Sequence, residues 1–341
     1  MMIIECLLFL IGVLVGTYGT VRDLRYGKVP NKLLWMALIP VAVLNVLYYG
    51  MFATGEAWIF GVNMAVIIAV SLLFYATHIW GGGDSKLLIL LAMTIPTGSY
   101  FYVAEETFPL LSMVILIFSL GYVYLIIHSL VCAVRGEQSL RTKIDRTYIR
   151  DFCKNYIIGS VYLTFVMHMV SRFLGDFYIQ NQMLFLFVNV FISMLIFLCS
   201  IFKNIWLVAV CAVADVVLAI SSHTLLVSGQ LWAYLIMVVL IVLRELMSGF
   251  NYQKIAIADL KPGMILSAAS IVLMLPSGIE GLPADTSEDL RGRLTGEHIE
   301  AIHKWQKRRK KYQELTIVRK IPFAAFIALG YLVFVLMGGI R

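Results

Sequence analysis

Two short polar sequences interrupt an otherwise apolar chain, and each carries one aspartate: Asp23 in VRDLRYGKVPNKLL and Asp84 in GGGDSKLL. Held together, two carboxylates can divide the work of amide hydrolysis. One, ionised, draws a proton from a water molecule as that water attacks a carbonyl carbon. The other, protonated, stabilises the developing oxyanion and helps release the amine. Like charges a few ångströms apart do not both ionise readily, so a close pair supplies both forms at one pH and titrates as a pair. Gly81, Gly82 and Gly83 fit the same chemistry, because a backbone without Cβ atoms lets an extended substrate strand come close. Taken singly, each aspartate also has an ordinary reading. Asp84 after a glycine run reads as a helix N-cap, and Asp23 beside Arg22 and Arg25 reads as one member of a solvated pair.

The elements that must position these residues are membrane helices. Of 341 residues, 61% are hydrophobic and 14% charged, with a mean hydropathy of +0.89. A soluble domain carries about 25% charged residues, so this chain cannot cover itself with polar surface in water. A helix crosses the hydrocarbon core with about 20 apolar residues. Ten stretches qualify: 3 to 21, 33 to 49, 57 to 77, 87 to 103, 109 to 134, 156 to 174, 183 to 202, 204 to 224, 231 to 249 and 321 to 339. The first has no basic residue ahead of it, which argues for a permanent helix over a cleavable signal. The fourth carries Pro96 and Gly98, which bend it or stop it short of a full crossing. The expected fold is an all-α polytopic membrane protein of about ten transmembrane helices, give or take one or two, with a small α+β cytoplasmic domain before the last helix.

Basic residues give the orientation, since cytoplasmic loops hold the Lys and Arg excess. Four follow the first span, six follow the fifth and twelve lie between 250 and 320; with Lys86 and Lys203 they put 24 of the 27 on one side. That side is the expected cytoplasm, with the N-terminus outside. Two complete spans separate Asp23 from Asp84, so both face the same side, and by this charge distribution the cytoplasm.

Between the last two spans, residues 250–320 form the only sizeable polar segment. Ile255 onwards reads as a strand, a Pro-Gly turn and a second strand. Thr295 reads as the N-cap of a helix through Ile299, Ile302 and Trp305 that ends in the basic run Lys307 to Lys311. Such a run either attracts anionic lipid headgroups or is a solvated helix face. The expected organisation is a hydrolytic core over 1–134, a basic cytoplasmic loop over 135–155, further membrane helices over 156–249, the cytoplasmic domain over 250–320 and a C-terminal helix over 321–341.

Other polar residues receive structural readings. Lys86 reads as a snorkelling lysine or as a partner of the carboxylates, and His78 as an interfacial residue. Asp215, in the middle of the eighth span, is an expensive charge. It lies at nearly the depth of His168 on the sixth span, which predicts a hydrogen bond between them. Five cysteines, at 6, 132, 153, 199 and 211, contain no Cys-x-x-Cys pair, so neither a zinc site nor a disulfide framework is expected. No metal or organic cofactor is needed.

The two motifs resemble those of the type IV prepilin peptidases, including the archaeal preflagellin peptidases, which are membrane aspartyl proteases of the Gly-x-Gly-Asp class. The first family motif matches Asp23, Leu24, Arg25, Pro30 and Asn31; the second matches Gly81, Gly83, Asp84, Lys86 and Leu87. The likeness covers about the first 130 residues. It implies Asp23 and Asp84 as the catalytic pair and, as partners, prepilin-like or preflagellin precursors with a short basic leader before an apolar helix, together with membrane lipids and no nucleic acid. It implies cleavage at the cytoplasmic face of the cell membrane. The second motif follows within 61 residues of the first with no cysteine loop between, so no methyltransferase activity is expected. Two rival readings stand beside it. An ion-coupled transporter would use Asp23, Asp84 and Asp215 as a relay, but the first two cluster at one face and no inverted repeat is apparent. A presenilin-like intramembrane protease shares Gly-x-Gly-Asp, but carries its first aspartate within a helix after a tyrosine, whereas Asp23 follows Arg22 at a helix end.

Overall fold

In the computed structural model, helix dominates and the outward faces of the long helices are apolar. The structure describes residues 1–76, 80–100, 107–134, 146–198, 200–223, 231–239, 252–286, 292–309, 312–318 and 323–338. His78, the loop 135–145, the end of the ninth expected span and Lys310 to Lys311 lie outside the described residues.

Twelve helices are described: α1 (Met2–Tyr26), α2 (Asn31–Met51), α3 (Ala57–Ala76), α4 (Gly82–Met93), α5 (Leu110–Val134), α6 (Arg146–Gln180), α7 (Gln182–Leu198), α8 (Ile205–Ser222), α9 over 231–239, α10 (Ala268–Met274), α11 (Gly296–Arg308) and α12 (Phe323–Gly338). Among the described residues six helices are long and apolar enough to cross a membrane: Met2–Tyr26, Asn31–Met51, Thr54–Ala76, Leu110–His128, Ile149–Gln180 and Ile205–Ser222. On α8 the apolar side chains Trp206, Val210, Val213, Val217 and Ile220 are all exposed, a lining suited to lipid and not to water. The make-up is that of a multi-pass membrane protein.

A count of about ten full spans is not reached among the described residues, which leave out the end of the ninth. The fourth expected span is a 12-residue helix, α4, displaced toward the glycines and ending at Thr94 ahead of Pro96. At 1.5 Å per residue it covers about 18 Å, well short of a bilayer core. Among the described residues the seventh and tenth show 17 and 16 helical residues, near the lower end of what a crossing takes. The sixth expected span is longer than its apolar part, because α6 begins inside the expected basic loop at Arg146.

The chain divides into two compact units. Unit 1 comprises Met1–Thr54, Ile67–Pro96 and Met247–Leu332; unit 2 comprises Gly55–Val66, Thr97–Leu246 and Val333–Arg341. Within unit 1, α1, α2 and α4 pack on one another. Asn45 of α2 donates through Nδ2 to the carbonyl of Met93 (2.9 Å), and Tyr48 donates to Glu5 Oε1 (2.8 Å), so these buried donors are paired. Within unit 2, α6 packs on α7 and α8.

Unit 1 also holds a three-stranded antiparallel sheet: β1 (Tyr252–Ala256), β2 (Ile265–Leu266) and β3 (Glu314–Val318). The two strands expected around the Pro-Gly turn form, with Gly263 at φ +93 in that turn. They do not pair with each other. β3 lies between them, in the order β1-β3-β2, with Leu315 and Ile317 buried on one face. The helix expected after Thr295 is α11, whose His298 N–H donates to the Thr295 hydroxyl (3.2 Å). Its buried Ile302 and Trp305 join Leu260, Leu266, Ile271 and Leu315 in one core.

Candidate active site

Asp23 sits in the last turn of α1 and is 6% exposed. That burial does not fit a solvated surface pair. The helix stops four residues on: Gly27 adopts the left-handed conformation (φ 67, ψ 24) and its N–H donates to the Asp23 carbonyl at 2.7 Å. This is a glycine C-cap, a conformation that a side chain at Gly27 would strain.

Asp84 sits in the first turn of α4, with Gly81 as N-cap. Its backbone N–H donates to the Gly81 carbonyl (3.0 Å), while the Gly81 N–H donates to Asp84 Oδ2 (3.2 Å). The carboxylate is thus oriented by the helix end it caps, and its charge complements the helix dipole there. The ordinary reading of Asp84 as a capping residue is therefore part of the geometry.

The register of α1 against α4 puts both residues toward the same end of the packed pair. The buried face of α1 runs through Gly12, Gly16, Gly19 and Asp23 at steps of three and four. A Cβ built on Gly19 would lie 3.6 Å from Leu87 Cδ1, one on Gly16 3.8 Å from Leu91 Cδ1, and one on Gly12 2.6 Å from Thr94 Oγ1. Each step up α1 matches a step back along α4, so the helices run antiparallel in contact. The next step along α1 is Asp23, and the next back along α4 is Gly83 and Asp84. The two aspartates stand at one level of adjacent helices.

The loops carrying the motifs interlock as well. Val29, buried, lies over Gly83, where an added Cβ would be 3.4 Å from Val29 Cβ. Lys86 Nζ donates to Asn31 Oδ1 at 3.1 Å, tying the Pro30-Asn31 start of α2 to the first turn of α4. Lys86 is therefore engaged across the two motifs and does more than snorkel. Ser85 donates to the Ser71 carbonyl (3.1 Å), which anchors the same turn to α3. On the other flank the Arg22 guanidinium lies 4.4 Å from the centre of the Tyr26 ring.

Two residues that sequence reasoning missed also bear on the site. Val29 was hidden because an isolated valine in a loop carries no pattern. Arg293 donates through Nη2 to the Gly27 carbonyl (3.1 Å) across 266 positions, and nothing local to its sequence marks it.

In unit 2, His168 Nδ1 lies 2.6 Å from Asp215 Oδ1, and His168 is 2% exposed. The hydrogen bond expected from equal depth is present, and it accounts for the charge in the middle of α8 as a paired group. Among the described residues no group of three or more His, Cys, Asp or Glu side chains could hold a metal ion.

No protein-family model matches the chain. No solved structure matches it. Among curated proteins the chain is similar, at 24% identity over 393 aligned positions, to the prepilin peptidase EppA of Methanothermobacter thermautotrophicus, in an alignment that takes in 99% of this chain and 96% of that relative.

Proposed function

We propose that this protein is a membrane aspartic endopeptidase that removes the short basic leader from pilin-like or preflagellin precursors, with Asp23 and Asp84 as the acid–base pair. The observation that carries the reading is the register of α1 against α4, which sets two carboxylate-bearing residues at one level beside glycine. The full-length likeness to a prepilin peptidase supports leader cleavage as the reaction and a pilin-like precursor as the substrate.

In this mechanism water is the nucleophile. The ionised carboxylate takes one of its protons while the oxygen attacks the scissile carbonyl. The protonated carboxyl donates to the oxyanion of the tetrahedral intermediate. Collapse expels the new amine, which takes up a proton from the pair. Lys86 and Asn31 lock the two half-sites together, and Gly81 to Gly83 leave room for an extended scissile segment. No methylation of the new N-terminus accompanies cleavage, and the site faces the cytoplasm, where the basic loops lie.

Co-expression of candidate precursors with the wild type and the Asp84→Asn variant tests the reading. The expected result is a mobility shift of the precursor with the wild type and none with the variant. Full cleavage by an Asp84→Asn protein refutes the assignment.

A further inference from the structure

The turn between Asp23 and the next helix, Gly27 to Pro30, is held from two directions. On one side Val29 rests on Gly83 and approaches Gly19, where an added Cβ would be 3.7 Å from Val29 Cγ1. On the other, Arg293 reaches the Gly27 carbonyl. That carbonyl lies just beyond the C-terminus of α1, where unsatisfied carbonyls and the negative end of the helix dipole attract a cation. Arginine stays charged at any working pH.

Arg293 is itself fixed. It forms an isolated antiparallel bridge with Ile265, the first residue of β2. Its neighbour Leu294 is buried in the core of the 252–318 segment, donates from its N–H to the Met264 carbonyl (2.8 Å) and accepts from the Gly263 N–H (2.8 Å). The guanidinium is therefore carried on a folded support, and its position at Gly27 depends on the sheet.

We infer that Arg293 is a positioning residue through which the 252–318 segment holds the Gly27–Pro30 turn, and with it Asp23, in register with Asp84. The inference rests on the hydrolase reading and gives the polar segment a role in it. Arg293 acts through Gly27 and Val29 and touches no reacting group.

The test uses the full chain reconstituted in lipid nanodiscs. The probe is a synthetic precursor with a Lys/Arg-rich leader joined to an apolar helix of about 20 residues. Arg293→Ala is expected to lower kcat about ten- to a hundredfold, the cost of a small misplacement of catalytic groups. KM should change by less than about twofold, because substrate contacts are untouched. Arg293→Lys should recover most of the loss, since an ammonium can still donate to one carbonyl. Hydrogen exchange, read without substrate, should quicken at the Gly27, Lys28 and Val29 amides in Arg293→Ala and stay unchanged in β3. Unchanged exchange at these amides overturns the inference, as does an unchanged kcat per folded molecule in Arg293→Ala. If Arg293→Ala fails to insert, Arg293→Gln is put through the same two measurements. A wild type that does not cut the probe, like Asp84→Asn, defeats the hydrolase reading, and the exchange measurement still decides whether Arg293 holds the turn.

Discussion

Asp84 caps a helix with the same carboxylate that the proposed reaction uses, and this separates stability from chemistry. Asparagine keeps an acceptor oxygen for the Gly81 N–H, so Asp84→Asn should retain the fold of the α4 turn. It removes the titratable group, so cleavage should fall by at least about a hundredfold, the usual contribution of a general acid or base. Asp23→Asn should behave alike, with melting temperature and cleavage measured on the same preparation. The Lys86–Asn31 bond makes a second prediction. Asn31→Ala and Lys86→Met should each slow cleavage by about three- to tenfold, and the double variant should be no slower than either alone, the signature of coupled residues. Independent, multiplying losses would show that the bond does not join the two motifs functionally.

Among the elements, the glycine face of α1 sets how closely α4 approaches. At Gly12 a methyl group would meet the Tyr331 hydroxyl and Thr94 Oγ1, two groups already hydrogen-bonded to each other at 3.1 Å. Gly12→Ala should cost about 1–3 kcal/mol, the range for overpacking a filled interior, measured as a lowered midpoint of thermal unfolding in detergent. The elements announced themselves in the sequence unevenly, for physical reasons. Apolar runs made α1, α2, α3, α5 and α8 readable, and the Thr295 cap with Ile299, Ile302 and Trp305 made α11 readable, because these signals are local. Asp23 and Asp84 stood out as candidates because charges are scarce and two spans separate them. The extent of α4 was misjudged because Leu87 onwards is apolar well past the Pro96 that ends it. β3 went unread although Leu315 and Ile317 alternate with Glu314 and Thr316, since five residues beside a basic run give too short a period to stand out. Arg293 and Val29 were invisible because their partners are set by tertiary contact and not by spacing.

Across the whole molecule, the His168–Asp215 bond belongs to unit 2 and no step of the proposed reaction uses it. His168→Leu should destabilise the protein by about 1–3 kcal/mol, the cost of leaving a buried polar group without its partner, while cleavage per folded molecule stays at the wild-type value. A selective loss of rate with unchanged melting would instead give the pair a part in the reaction. The strand order β1-β3-β2 has a different consequence. The central strand is the last of the three to be synthesised, and β1 pairs with it through Tyr252 to Val318 and Ala256 to Glu314, residues separated by about 60 positions. A nascent chain that has already threaded α1 to α8 still has two lone edge strands, and the bridge that seats Arg293 has no completed sheet behind it. A chain that ends short of β3 would therefore carry Asp23 and Asp84 on finished helices with the Arg293 brace still unset, and the brace would form only when the strand leading into α12 arrives.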